Sequence, residues 1–144
     1  MEYNIFTKEN IKDIIPLYID YYNNVEDSGW TEETVLKCFN QRLSREDSYG
    51  LILTDRDCVA GFAIGYFEQY DDGITYNLIE IVIANEYQNQ GLGNKLMNEL
   101  AERVKSMGAM LISLQAVNDN KHDRFYSSLG YGNCKNLVIK VKML

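Results

Sequence analysis

The sequence predicts an α/β chain in the order β-α-α-β-β-β-α-β-α-β, and three observations carry that prediction. Apolar residues recur at helical spacing in four stretches and at strand-like spacing in six others. Glycine, asparagine and aspartate clusters punctuate the boundaries. A glycine-bearing loop at residues 87–93 joins an apolar strand to a regular amphipathic helix.

Tyr3-Asn4-Ile5-Phe6-Thr7 reads as a short first strand. Asn10 is placed to cap a helix whose apolar positions are Ile11, Ile14, Ile15, Tyr18 and Tyr22. Pro16 lies beyond the first turn, so the expectation is a kink or a late helix start. Residues 25–30 read as a polar loop. Thr31 caps a second helix, with Glu32 and Glu33 in its first turn and Val35, Leu36, Phe39 and Leu43 on one face. Residues 49–54 and 58–68 form a hairpin around Asp55-Arg56-Asp57, and Asp71-Asp72-Gly73 turns the chain into a strand over 74–84. Leu92, Leu96, Leu100 and Val104 repeat every four residues, a helix of about four turns with Gly108 as its C-terminal cap. A strand at 109–117, a short helix at 121–129 and a final strand at 134–143 complete the order. No repeat or linker is visible, and 144 residues suit one domain with a sizeable core.

Tyr87-Gln88-Asn89-Gln90-Gly91-Leu92-Gly93 is the most informative stretch. A loop of this kind presents the first N–H groups of a helix, which lack intrahelical partners, together with the positive end of the helix dipole. That arrangement suits a phosphate or pyrophosphate. Gly91 and Gly93 let the backbone approach a ligand closely. The loop is neither a P-loop, because no Gly-Lys-Ser/Thr follows, nor a dinucleotide fingerprint, because the third glycine is missing.

A second segment runs from Asn118 through Phe125-Tyr126-Ser127-Ser128-Leu129-Gly130-Tyr131. Together, Gln88-x-x-Gly91-x-Gly93 and Phe125-Tyr126-x-x-Leu129-Gly130-Tyr131 resemble the paired motifs of the GNAT N-acetyltransferases, in the right order and with a helix and a strand between them. The resemblance spans roughly residues 50–142. It implies a central mixed, mostly antiparallel sheet with helices on both faces, and a gap between two splayed strands that takes acetyl-CoA. It also implies cofactor contacts from Ile81, Val82, Ile83, Gln88, Asn89, Gln90, Gly91, Leu92, Gly93 and Asn94. The family asparagine falls seven residues before the tyrosine, which here is Asp119. A shortening by one residue makes Asn120 the match.

Composition narrows the partners. A net charge of −7 argues against nonspecific nucleic-acid binding and suits a cationic small substrate. No apolar run approaches a membrane span, and Met1-Glu2-Tyr3-Asn4 is not a basic-then-apolar leader. The expectation is a cytoplasmic protein without membrane attachment. Cys38, Cys58 and Cys134 read as isolated thiols, and a single histidine, His122, argues against a metal site. Relatives of this family often pair, so a homodimer is the oligomer to test for.

The implied reaction moves acetyl from acetyl-CoA to a primary amine of a small molecule or peptide, by direct attack. A non-catalytic acetyl-CoA-binding sensor of the same fold is the alternative. A lysine-like amine costs roughly 4–5 kcal/mol to deprotonate at pH 7, which a carboxylate, directly or through water, or a desolvating pocket must offset. Glu80, the only acid inside the central strand, is the first candidate, and Glu68, Asp119 and His122 are lesser ones. Strand parity puts Ile79, Ile81 and Ile83 on the face opposite Glu80. By the resemblance, Tyr126 protonates the departing thiolate. Tyr22, Glu26 and Trp30 suit a cationic acceptor through cation–π contact and ion pairing.

Overall fold

Residues 49–53 and 60–65 are buried without interruption, the mark of strands covered on both faces. The computed structural model describes residues 1–144. Those two runs form the middle of a five-stranded sheet, in the order β1 (Glu2–Ile5), β2 (Ser48–Asp55), β3 (Cys58–Tyr70), β4 (Gly73–Ile83) and β5 (Ala109–Leu114). The first three pairings are antiparallel and β4–β5 is parallel. The parallel pair is joined by α3 (Leu92–Ser106), as a parallel crossover requires.

Helices α1 (Ile11–Ile19) and α2 (Glu32–Leu43) cover one face, packing Ile11, Ile14, Tyr18, Val35 and Phe39 on Ile52, Phe62, Ile64 and Val82. The other face is covered by α3, through Leu96, Met97, Leu100 and Val104 on Leu51, Ala63, Tyr76 and Leu78. Phe125 and Tyr126 of α4 (Asn120–Ser128) pack against the same cluster. This is the mixed, mostly antiparallel sheet with helices on both faces that the sequence predicts.

Several local expectations change. The first helix does not start late: a 3₁₀ turn (Lys8–Asn10) leads into α1, and Pro16 sits inside it on the exposed side. Asn10 does not cap that helix. Its Oδ1 instead accepts from the Thr7 N–H at 2.8 Å. After Ile19 the helix widens into a π turn (Asp20–Val25), so the polar loop begins only at Glu26. Thr31 does cap α2, its hydroxyl accepting from the Thr34 N–H at 3.1 Å. Gly108 follows α3 at φ 105.

The parity expectation for β4 holds for Ile81 and Ile83 and fails at Ile79 for a physical reason. The β3–β4 register shifts at Ile64/Gly65, where Ile64 faces Glu80 and Gly65 faces Leu78. Ile79 is the extra residue of a bulge. It therefore packs with the α1/α2 cluster, the side that Glu80 reaches, whereas Ile81 and Ile83 pack on the α3 side.

The strand at 134–143 does not form: residues 131–144 carry no regular structure, and β5 stops at Leu114 rather than 117. Short apolar alternation gives a segment strand propensity, but a strand exists only where its backbone finds a partner.

Phe39 is fully buried, stacked on Phe6 at 5.8 Å and edge-on to Tyr18 and Phe62 at 5.1 and 5.5 Å between ring centroids. Phe39→Ala should lower unfolding free energy by about 3–5 kcal/mol, read as a reduced urea midpoint with an unchanged slope.

Candidate active site

The β4–β5 pairing runs from Ile74↔Ala109 to Leu78↔Leu114 and stops there. β4 continues to Ile83, held on its other edge by β3 through Ala63↔Ile81, Phe62↔Val82 and Gly61↔Ile83. The backbone of residues 79–83 thus presents an unpaired edge toward the gap that opens beyond Leu114. A strand edge of this kind accepts an extended ligand by backbone hydrogen bonds.

At the end of that edge lies the loop 85–91. Gln88 donates from its side-chain amide to the Ile83 carbonyl at 3.1 Å and to Asn85 Oδ1 at 3.3 Å, pinning the loop to the strand. Asn85 in turn donates to Asp20 Oδ2 at 2.8 Å, tying the loop to the π turn. Asn89 and Gly91 both take left-handed backbone conformations, at φ 61 and 75, and such residues curl consecutive N–H groups inward around an anion. The first N-terminal bond of α3 is from Lys95 N–H to Gly91 O, at 3.2 Å. The N–H groups of Leu92, Gly93 and Asn94 therefore lie at the open end of the helix.

The two glycines do different work. Gly91 needs its positive φ and has open space where a Cβ would be. A Cβ on Gly93 would stand 3.2 Å from Phe125, so Gly93 lets α4 close on α3. The residues present fit a pyrophosphate: a left-handed turn, free helix N–H groups and exposed Asn89, Gln90 and Asn94 around them.

Glu80 lies at the centre of a polar cluster on the α1/α2 side. Its Oε1 accepts from Tyr18 Oη at 3.0 Å and from Arg42 Nη1 at 2.5 Å, and its Oε2 accepts from Tyr22 Oη. Burial and the Glu80 carboxylate push both phenols well above their ordinary range. Burial works against the Arg42 charge, but Glu80 outweighs it and the guanidinium is held more firmly protonated. Sequence reasoning missed Arg42. The available signal was its position three residues after Phe39, on the buried stripe of α2.

Tyr126 is half-buried on α4, edge-on to Phe125 at 4.9 Å and Tyr131 at 5.7 Å. Burial, and then the proximity of Tyr21, raise its phenol above the usual value. Asp119 is the N-cap of α4, accepting from the His122 N–H at 2.7 Å, with the His122 ring Nδ1 also 2.7 Å away. Those hydrogen bonds hold its carboxyl below the usual range. Asn120 is the exposed first helical residue. Glu68 is engaged by Tyr70 Oη at 2.7 Å and Asn77 Nδ2 at 3.3 Å.

Of the acceptor residues, Tyr22 joins the Glu80 cluster. Trp30 is clamped to Asn23 by two hydrogen bonds of 2.7 and 3.0 Å and stands edge-on to Tyr18. Glu26 is exposed beyond the π turn, near Tyr21. Where β4 and β5 part, a cavity of about 240 Å³ opens between Tyr66, Asn77, Ile79, Ser113 and Gln115. No group of three or more His, Cys, Asp or Glu side chains is placed to hold a metal ion. No helix is long and apolar enough to cross a membrane.

Residues 11–131 match the model of the acetyltransferase (GNAT) family. A protein of Archaeoglobus fulgidus, named an uncharacterized N-acetyltransferase, is 24% identical over 136 residues, covering 89% of this chain and 90% of its own. The fold is similar to that of a probable acetyltransferase, with a TM-score of 0.82 and 18% identity over 100% of this chain and 99% of that one. It is also similar to an aminoglycoside N-acetyltransferase in complex with CoA, with a TM-score of 0.77 and 13% identity over 99% and 95% of the two chains.

The buried tyrosines set an alkaline limit. Burial, and then Tyr126, push Tyr131 from 10.0 to about 12, and Tyr18, Tyr22, Tyr76 and Tyr126 are raised too. A phenol that ionises later folded than unfolded contributes stability fully below pH 10, and loses it as pH rises through its folded value. The unfolding midpoint should therefore fall steadily between pH 10 and 12, and absorbance at 295 nm should show fewer than the full eleven tyrosines titrating near 10 in the native protein.

Proposed function

Because the chain belongs to the GNAT acetyltransferase family, an acyltransferase family that uses acetyl-CoA, we propose that it acetylates a primary amine of a small molecule or peptide by direct attack within a ternary complex. The observation that carries this reading is the free β4 edge at residues 79–83, running into the left-handed loop at the N-terminus of α3.

When bound, acetyl-CoA supplies an acetyl group activated as a thioester. In this reading the N–H groups of Gly91, Leu92, Gly93 and Asn94 bind the pyrophosphate, with Asn89 and Gln90 around it. Gln88 acts by fixing the loop to Ile83. Ile81, Val82 and Ile83 hold the pantetheine arm as an added strand, and an N–H of this strand donates to the thioester oxygen as charge builds on it. In the same reading Asn120, exposed at the start of α4, contributes a cofactor contact. Tyr126 Oη donates its proton to the departing sulfur. Its raised pKa makes that transfer uphill, so it accompanies or follows C–S cleavage.

The amine enters through the cavity between Tyr66, Asn77 and Gln115, whose uncharged lining mixes these groups with Leu78, Ile79 and Leu114. Glu80 takes the amine proton through Oε2, which carries one donor where Oε1 carries two. Tyr22 orders that oxygen, and Glu26 and Trp30 border the acceptor side. We read the molecule as a cytoplasmic, single-domain enzyme.

Calorimetry should give saturable acetyl-CoA binding near one per chain. Gly91→Val forces a β-branched residue into a left-handed turn, costing roughly 1–2 kcal/mol, and should weaken that affinity about tenfold. Absence of binding by a folded sample would sink the acetyl-CoA reading.

With a panel of amines, Tyr126→Phe should reduce kcat about a hundredfold while acetyl-CoA affinity is unchanged. Glu80→Gln should likewise reduce kcat about a hundredfold. Unchanged turnover in either variant removes the role given to that residue.

A further inference from the structure

At the acceptor cavity each carboxylate is matched by a guanidinium. The Glu80 side chain is only 11% exposed, and Arg42 Nη1 lies 2.5 Å from its Oε1. That pair carries no net charge. The other titratable groups beside Glu80 stay neutral at pH 7. Burial pushes the Tyr18, Tyr21 and Tyr22 phenols and the Cys38 thiol above their ordinary values.

The cavity lining is uncharged from Tyr66 to Gln115. Behind it stands one charge of each sign. Glu68 Oε1 accepts from the lining Asn77 Nδ2 at 3.3 Å, and the Arg45 guanidinium lies over the lining Tyr66, 3.5 Å from its ring centroid. Arg45 makes no ion pair, so its charge stands against that of Glu68 across the same wall. Glu26 is exposed, where water and salt screen it.

An ammonium leaving water needs a counter-charge in the site. Glu80 has already given that capacity to Arg42. The aromatic faces that suit a cation are occupied as well. Arg45 covers Tyr66, and Tyr22 packs on Tyr18 and Tyr21 at 4.7 and 4.9 Å between centroids. The acceptor amine must therefore arrive uncharged. At pH 7 about one lysine-like amine in 2,500 is uncharged, against roughly one α-amine in ten.

We propose that the acceptor is the α-amino group of a peptide, and that Arg42 and Arg45 set this preference by cancelling the negative charge that would draw in a lysine-like ammonium. The proposal rests on the acetyltransferase reading and narrows it. The uncharged nitrogen forms the new C–N bond as the C–S bond breaks. One of its protons passes to Glu80, the Tyr126 proton passes to sulfur, and water returns both side chains to their starting states.

The test compares two short peptides with acetyl-CoA at pH 7. One has a free N-terminus and no lysine. The other has a blocked N-terminus and one internal lysine. The free N-terminus should give a kcat/KM about a hundredfold higher. Arg45→Gln, at an exposed position, leaves Glu68 unmatched, and Arg42→Met leaves Glu80 unmatched. Each should narrow the preference about tenfold by lowering KM for the lysine peptide, with acetyl-CoA affinity and circular dichroism unchanged. Arg42→Lys keeps the charge and should keep the preference. Equal or faster use of the lysine peptide by the unaltered protein overturns the proposal. So does a preference that is unchanged in Arg45→Gln and in folded Arg42→Met. Acetylation of neither peptide overturns the α-amine class, and it sinks the enzymatic reading only where acetyl-CoA also fails to bind.

Discussion

β4 keeps its antiparallel partner β3 to its end, but its parallel partner β5 only as far as Leu78, and the rest of the site depends on that difference. Five residues of a central strand are left with one satisfied edge and one open edge. Buried backbone groups do not stay unpaired without cost, so an open edge in the middle of a sheet is a place made for a ligand's own hydrogen bonds. The crossover through α3 then puts a helix N-terminus at the end of the same edge.

The bulge at Ile79 turns this backbone feature into a side-chain arrangement. One extra residue on β4 sends Ile79 and Glu80 to the α1/α2 side together, while Ile81 and Ile83 pack toward α3. Glu80 thereby reaches Tyr18, Tyr22 and Arg42, which come from two helices and lie 62, 58 and 38 residues away in sequence. The widened turn at Asp20–Val25 serves the same end. It carries Tyr21 and Tyr22 beside Tyr18 and, through Asp20, braces the loop at Asn85. A half-buried carboxylate with three donors is rigid, so its free capacity is confined to one oxygen.

The fold was legible where local chemistry and global packing agree. Thr31, the Leu92–Leu96–Leu100–Val104 repeat and the hairpin at Asp55–Asp57 each specify their element within a few residues. Less legible were features that depend on a partner far along the chain. Arg42 has the composition of a surface cation, yet it pairs with Glu80, 38 residues away. Residues 134–143 have the composition of a strand, yet a strand is a pairing, and within one copy that segment makes none.

The sequence by itself determined the order of elements as far as α4 and the family motifs, because these are set by neighbours three or four residues apart. Only the tertiary structure decided which face Glu80 occupies, that Arg42 holds it, that Gly93 is small for the sake of Phe125, and that the last eight residues are left without a partner. Each of these turns on a contact between distant segments or on a register shift of one residue. A shift of that size inverts every side chain after it while leaving the hydrophobic pattern almost unchanged.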